Sequence, residues 1–325
     1  MAFRTSVSLF FVLLLAASGC LNLDGSVHNP RHCSQVGPQS CEEIEDPFSR
    51  ICTPCDEEYD WSIDVPWPEG FFQTEQILRV PQVERRMIET SDGEGSLDTY
   101  WIPSHGEVED YAEVTIVYNH GNYGSVEHFV PRMRILYELG FNILIWDYRG
   151  YGKSLPARAP ETEAFLEDAR QIRDLADELG PNREKVVVYG MSLGAVPSVE
   201  MVLSSQPCAL ILEVPFTSIQ EISKTNVGIS MPGSFLTTGY LENVDRIADY
   251  EGPLMILHGT DDPLFPIESV EVLYENAPGP KVMHIVEGAR HGLGDGIPET
   301  AGFEEYARLL DEYFADQGSA CLSGQ

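Results

Sequence analysis

Hydrophobic positions over most of the chain fall into short consecutive runs separated by stretches of helical periodicity. Six runs are apolar at nearly every position: residues 114–118, 142–146, 185–189, 209–214, 254–257 and 282–286. A strand with one wet face alternates apolar and polar side chains, so runs like these predict strands buried on both faces. Between them, apolar residues recur at spacings of three and four over 126–138, 161–179, 193–203, 267–276 and 303–314, which predicts helices. Strand and helix in alternation predict an α/β fold, a mostly parallel central sheet with helices on both faces. Residues 79–102 instead alternate short apolar stretches with charges around Ser91-Asp92-Gly93-Glu94-Gly95, the pattern of an antiparallel hairpin at a sheet edge. Residues 217–250 break the rhythm, mixing Ile219, Ile222, Phe235 and Tyr240 with Gly228, Pro232 and Gly233. They predict a small cap over the strand ends that would supply an apolar pocket; a loop with one amphipathic crossover helix fits the same residues.

The N-terminus obeys none of these periods. Arg4 precedes an apolar run over 9–17 that is too short to span a bilayer and ends in Ala17-Ser18-Gly19-Cys20. Residues 1–19 therefore predict an export signal. Small residues before a cysteine resemble a bacterial lipobox, which implies lipidation of Cys20 and a cell-envelope protein held to the membrane by an N-terminal lipid anchor. A cleavable signal with an incidental cysteine, giving a periplasmic or secreted soluble protein, is the alternative.

Export bears on the remaining cysteines, since disulfides persist outside the cytoplasm. Cys33, Cys41, Cys52 and Cys55 lie in an arm over residues 20–75, with eight acids between Glu42 and Asp60 and little apolar periodicity. A stapled surface arm is expected. Cys52-Thr53-Pro54-Cys55 follows no strand and opens no helix, which favours a structural disulfide over a redox motif, and a zinc site would want a second such pair. Cys208 and Cys321 could join the start of one strand to the C-terminal tail, residues 319–325. The α/β domain itself occupies 76–318.

With 325 residues and 43% hydrophobic content the chain can bury a sizeable core. Its 52 acids against 20 bases give a formal charge of −32, which repels nucleic acid and anionic membrane surfaces. Composition carries no signal for oligomeric state.

The chemistry begins where the run Val186-Val187-Val188-Tyr189 ends in Gly190-Met191-Ser192-Leu193-Gly194. A serine hydroxyl needs a sharply turned, exposed strand-to-helix junction beside a base to act as a nucleophile, and the two glycines let strand and helix pass close together around Ser192. The backbone N–H of Leu193, at the positive end of the following helix, is a candidate oxyanion donor. Tyr118-Asn119-His120-Gly121-Asn122 follows another buried strand, and the amide of Asn122 is the second candidate donor. His120 sits upstream of the nucleophile and is expected to orient its loop. Asp147-Tyr148-Arg149-Gly150-Tyr151-Gly152-Lys153-Ser154 lacks the glycine spacing of a phosphate-binding loop, so Asp147 and Arg149 are expected to pin the strand end. Leu257-His258-Gly259-Thr260-Asp261-Asp262 offers the acid that orients the base: Asp262 first, Asp261 second, Glu213 third. The base comes last, in Glu287-Gly288-Ala289-Arg290-His291-Gly292. His291 follows both serine and acid, the order this architecture requires, whereas His258 precedes the acid and His284 lies within a strand.

Taken together these motifs, with Pro215-Phe216-Thr217-Ser218 between them, resemble the α/β-hydrolase superfamily over about residues 75–316, in particular its small serine hydrolases, including acyl-protein thioesterase and depalmitoylase-like members. The resemblance implies hydrolysis of an acyl ester or thioester through an acyl-serine, with Ser192, His291 and Asp262 as the triad, a small acyl substrate as partner, and no metal or organic cofactor. A serine peptidase of the same fold is the nearest alternative. A non-catalytic surface lipoprotein that uses the cap to bind an apolar ligand is the alternative from another class, since fold alone does not fix function. The cysteine-rich arm departs from the shorter N-terminus usual in the family.

Overall fold

A computed structural model describes residues 28–35, 53–62, 67–73, 78–218 and 241–322. The signal segment, Cys20, Cys41, Cys52 and most of the expected cap lie outside the described residues. Eight strands form one sheet: β1 (Glu84–Glu89), β2 (Ser96–Ile102), β3 (Thr115–Asn119), β4 (Asn142–Trp146), β5 (Val186–Met191), β6 (Ala209–Glu213), β7 (Leu254–Gly259) and β8 (Lys281–Val286). Their spatial order is β1-β2-β4-β3-β5-β6-β7-β8. The hairpin expected over 79–102 is β1 and β2, antiparallel to each other and, through β2, to β4; every other pairing is parallel.

The consecutive apolar runs are explained by two cores, one on each side of the sheet. Val186 and Val188 of β5 face one core, with helices α2 (Thr162–Leu179), α3 (Ala195–Ser204) and α4 (Ile267–Asn276). Val187 and Tyr189 face the other, with α1 (Val126–Glu138) and α5 (Phe303–Asp316). Each fully buried valine contributes about 1.5–3 kcal/mol, so β5 is held from both faces. Rigidity there matters, because β5 carries Ser192 at its end.

Two expectations need correction. The helix expected over 193–203 is entered through a 3-10 turn, Ser192–Gly194, before α3 begins. The arm, expected on the surface, sends aromatic side chains into the second core. Tyr59 and Phe71 are buried, Tyr59 stacks on Tyr100 at 5.3 Å, and Trp67 stacks on Phe71 at 4.4 Å. A single aromatic ring buries as much surface as several smaller residues, so isolated rings anchor the arm without any periodicity. Cys55 pairs with Cys33 (Cα–Cα 5.1 Å), and Cys208 joins Cys321 (Cα–Cα 5.3 Å), tying the start of β6 to the C-terminal tail as expected.

Candidate active site

The end of β5 is backbone under constraint. Ser192 has φ 52°, a left-handed conformation that non-glycine residues adopt at a cost of about 1–3 kcal/mol. Its neighbours leave no room for relaxation. A Cβ on Gly194 would lie 2.0 Å from the carbonyl oxygen of Asn119, and one on Gly190 would lie 2.3 Å from Ser198 Oγ and 2.6 Å from the Gly194 carbonyl oxygen. The carbonyl of Ser192 accepts from Phe216 N–H at 2.9 Å, which ties the turn to the segment after β6. The side chain of Ser192 is thereby held at the C-terminal edge of the sheet, where the loops gather.

His291 reaches it from beyond β8. Its Nε2 lies 2.7 Å from Ser192 Oγ, and its Nδ1 lies 2.8 Å from Asp262 Oδ2. Asp262 has no exposed side-chain surface, and its other oxygen accepts from the amides of Leu264 (2.8 Å) and Phe265 (3.0 Å). Burial alone would raise its pKa, yet the hydrogen bond and charge of His291 and the two amides outweigh it and hold the carboxyl below its usual range. A carboxylate so placed fixes the imidazole with its proton on Nδ1 and leaves the Nε2 lone pair facing the serine.

The other acids considered go elsewhere. Asp261 takes a hydrogen bond from Thr260 Oγ1 and is exposed. Glu213 is bound by Arg132 Nη1, 2.7 Å from each carboxylate oxygen, and by Tyr189 O–H at 2.5 Å, on the other core's side of the sheet. His258 stands behind the acid, 4.0 Å from Asp262 Oδ2, and donates from Nε2 to the Phe265 carbonyl at 2.9 Å. Sequence order removes it as a candidate base but gives no hint that it braces the Asp262 loop.

The loop after β3 lies alongside. A Cβ on Gly121 would sit 3.6 Å from Ser192 Cβ, so the loop that carries Asn122 passes beside Ser192. Leu193 lies in the first turn after Ser192, where helical amides have no partner within the helix. His120 is fully buried, stacks on Tyr148 at 4.0 Å and donates from Nδ1 to the Gly121 carbonyl at 2.7 Å. Burial pushes its pKa down to about 3, so it orients the loop as a neutral ring. Asp147 accepts from Val126 N–H at 2.8 Å and Tyr59 O–H at 3.2 Å, and Arg149 grips Asp168 through two bonds of 2.8 and 2.7 Å. Both are the loop pins that the sequence suggested.

A residue set missed by the sequence lies beneath the His291 loop. Arg132 bridges Glu213 and Glu299 (to Glu299, Nε–Oε1 3.1 Å and Nη2–Oε2 2.7 Å), and both partners, one at the end of β6 and one in the short helix Ile297–Ala301, are buried. Among the described residues, the His/Cys/carboxylate group close enough to hold a metal is His32 with Cys33 and Cys55, and those two sulfurs form a disulfide.

A family model described as serine aminopeptidase, S33 (Hydrolase_4) matches residues 111–237. The chain is 30% identical over 212 residues to alpha/beta hydrolase domain-containing protein 17B of Xenopus laevis, covering 63% of this chain and 68% of the relative. In fold it is similar to the Pyrococcus furiosus esterase Pf2001 (TM-score 0.56, 20% identity, 73% of this chain and 92% of the esterase). It is likewise similar to Est1E of Butyrivibrio proteoclasticus with ferulic acid bound (TM-score 0.58, 20% identity, 72% and 100%). An eight-stranded, mostly parallel sheet with its hairpin at the edge, a strained serine turn after β5 and a relative this similar over two-thirds of its length lead to one conclusion: the chain belongs to the α/β-hydrolase superfamily.

Proposed function

We propose that this hydrolase cleaves carboxylic esters or thioesters of small acyl substrates through an acyl-serine intermediate. One observation carries the reading: a single imidazole, His291, is bonded to Ser192 Oγ on one side and to the buried Asp262 carboxylate on the other. In the first half-reaction His291 Nε2 takes the hydroxyl proton as Ser192 Oγ attacks the acyl carbon, and the resulting imidazolium is stabilised by Asp262. The tetrahedral oxyanion is received by the amides of Leu193 and Asn122, each such donor being worth about 3 kcal/mol in the transition state. His291 then hands its proton to the leaving alcohol or thiol. Water, activated by the same base, releases the acid in the second half-reaction.

Incubation with a fluorophosphonate probe and a short-chain chromogenic ester tests this directly. The wild-type chain is expected to label and to turn over, and Ser192→Ala to do neither; full labelling of Ser192→Ala would remove the assignment. The Pyrococcus furiosus neighbour, described as an esterase, favours the ester over the amide. The family model's description keeps a peptidase as the second reading, and comparison of rates on aminoacyl amides and acyl esters separates them. A protein that folded but neither labelled nor turned over would support a binding role instead.

The proposal extends to location. The apolar run over 9–17 and Ala17-Ser18-Gly19-Cys20, together with two disulfides in the folded part, support an exported protein lipidated at Cys20. Incorporation of labelled fatty acid that persists in Cys20→Ser would exclude the anchor.

A further inference from the structure

The loop that carries Asn122 is held in part by the N-terminal arm, which lies outside the hydrolase motifs. Asn122 Oδ1 accepts two hydrogen bonds, from the backbone N–H of Asn29 at 2.7 Å and from the hydroxyl of Tyr151 at 2.6 Å. A backbone N–H can only donate, so the atom facing Asn29 is the amide oxygen and its orientation is not open to exchange. With two donors placed on it, the plane of the Asn122 side chain is fixed. Asn29 N–H is shared with Tyr151 Oη at 3.1 Å, closing a three-membered ring of contacts.

The arm is registered on the loop after β4 at the next residues. Gly152 N–H donates to the Arg31 carbonyl at 2.8 Å and Cys33 N–H to the Gly152 carbonyl at 2.7 Å, a short parallel bridge around His32. The Arg31 guanidinium lies 4.1 Å over the ring of Tyr123, the residue after Asn122. Two backbone bonds and a stacked cation do not by themselves offset the entropy of ordering residues 28–35. The Cys33–Cys55 disulfide joins that strip to residues 53–62, which are anchored separately. There Thr53 Oγ1 donates to Glu127 Oε1 at 2.5 Å, Tyr59 O–H reaches Asp147, and Lys153 Nζ donates to the Glu57 carbonyl.

We propose that the disulfide-clamped N-terminal arm is a working part of the active site, in which Asn29 and Tyr151 are positioning residues that hold Asn122, and through it the loop beside Ser192, in the geometry that receives the oxyanion. The proposal rests on the hydrolase reading above. A donor held rigidly before reaction acts on the transition state more than on the bound ester, so loosening it lowers kcat and leaves KM nearly unchanged. A wall that merely shaped the pocket would move KM.

The test uses the full, oxidised chain with a short-chain p-nitrophenyl ester and two variants, Tyr151→Phe and Cys33→Ser/Cys55→Ser. Tyr151→Phe removes one donor and keeps the ring; the expected loss is about three- to tenfold in kcat, the range for one hydrogen bond, with KM within about twofold. The double variant is expected to lose about tenfold or more in kcat, and amide hydrogen exchange over residues 119–124 should accelerate while β7 keeps its protection. If both variants keep kcat within about twofold, or if KM rises at constant kcat, the proposal is overturned. Should the double variant fail to fold, Tyr151→Phe decides alone. If the wild-type chain neither labels nor hydrolyses esters, the hydrolase reading is what failed; unchanged exchange in the double variant would then overturn the clamp as well, and accelerated exchange would uphold it.

Discussion

Replacing Asp262 with asparagine should silence the proposed reaction through a proton on the wrong nitrogen. Asp262 Oδ1 accepts from two amides, Leu264 at 2.8 Å and Phe265 at 3.0 Å, while Oδ2 faces His291 Nδ1 at 2.8 Å. An asparagine has one acceptor and one donor to divide between these sites. Turning its oxygen toward His291 would point its NH2 at two N–H groups, and leaving the part-buried Phe265 amide without an acceptor costs about 1–3 kcal/mol. The side chain therefore keeps its oxygen on the amides and presents NH2 to His291. Nδ1 must then act as the acceptor, which moves the imidazole proton to Nε2, the atom 2.7 Å from Ser192 Oγ. A protonated Nε2 cannot take the serine proton. The expected loss in kcat is about a thousand- to ten-thousandfold, about 4–5 kcal/mol of transition-state stabilisation, with KM little changed. Steady-state hydrolysis of a chromogenic ester by Asp262→Asn, with circular dichroism to confirm the fold, measures it. A loss of less than about tenfold in a folded variant would refute the assignment of Asp262 as the orienting acid.

Three further expectations concern what holds the site. Gly194→Ala would drive a methyl group to 2.0 Å from the Asn119 carbonyl oxygen, backbone against backbone, and should lower stability by about 3 kcal/mol in urea unfolding; a loss within experimental error would show that the turn can move. Arg132→Met leaves Glu213 and Glu299 buried without their cation, with an expected cost of about 3–5 kcal/mol by the same measurement, and a neutral result would contradict this. Burial, then the charge of Asp98, raises Asp147 to about 8 from 3.8 in the open chain, so the folded state binds the extra proton. Its contribution is fully present below pH 3.8 and is lost as pH rises through 8, with a slope of at most about 1.4 kcal/mol per pH unit. Asp147→Asn should flatten the decline in unfolding free energy between pH 6 and 8.5, and parallel curves for the two proteins would contradict this.

What could be read from the sequence followed from local physics. Val186 to Tyr189 announce a strand buried on both faces because every position is apolar, and the two cores account for each side chain in turn. Gly190 and Gly194 announce a close approach because nothing larger fits, and the contacts around them bear that out. The late position of His291 relative to Ser192 and Asp262 was enough to select it from several histidines. The rest depends on pairings between residues far apart in the chain. Arg132 meets Glu299 across 167 positions and Asn29 meets Asn122 across 93, and single charged or amide residues carry no period that would announce such partners. Tyr59 and Phe71 were hidden for the same reason, each ring burying itself alone. Glu213 could be ranked low as an acid, but only the structure shows the guanidinium that occupies it.

The distance that the site has to bridge explains why those unannounced pairings matter. Ser192 directly follows β5, and His291 follows β8; β6 and β7 lie between them, so the two strands are three spacings, about 14 Å, apart. The His291 loop has to lean back across the ends of two strands and stay there. Gly259, at the end of β7, lets it lie flat, since a Cβ would come within 2.1 Å of the Ala289 carbonyl, and Asp261 N–H holds that carbonyl at 3.1 Å. Arg290 N–H closes the loop onto the Asp295 carbonyl at 2.8 Å. At its far end Gly296 rests against the Arg132 guanidinium, which is fixed by Glu299 just beyond and by Glu213 at the end of β6. The buried charge cluster is thus the abutment of the loop that carries His291, and β6, which supplies no member of the proposed triad, supplies the strand end on which that abutment stands. Arg132→Met should accordingly lower kcat even under conditions where the variant is fully folded, because the loop loses its seat before the sheet loses its order.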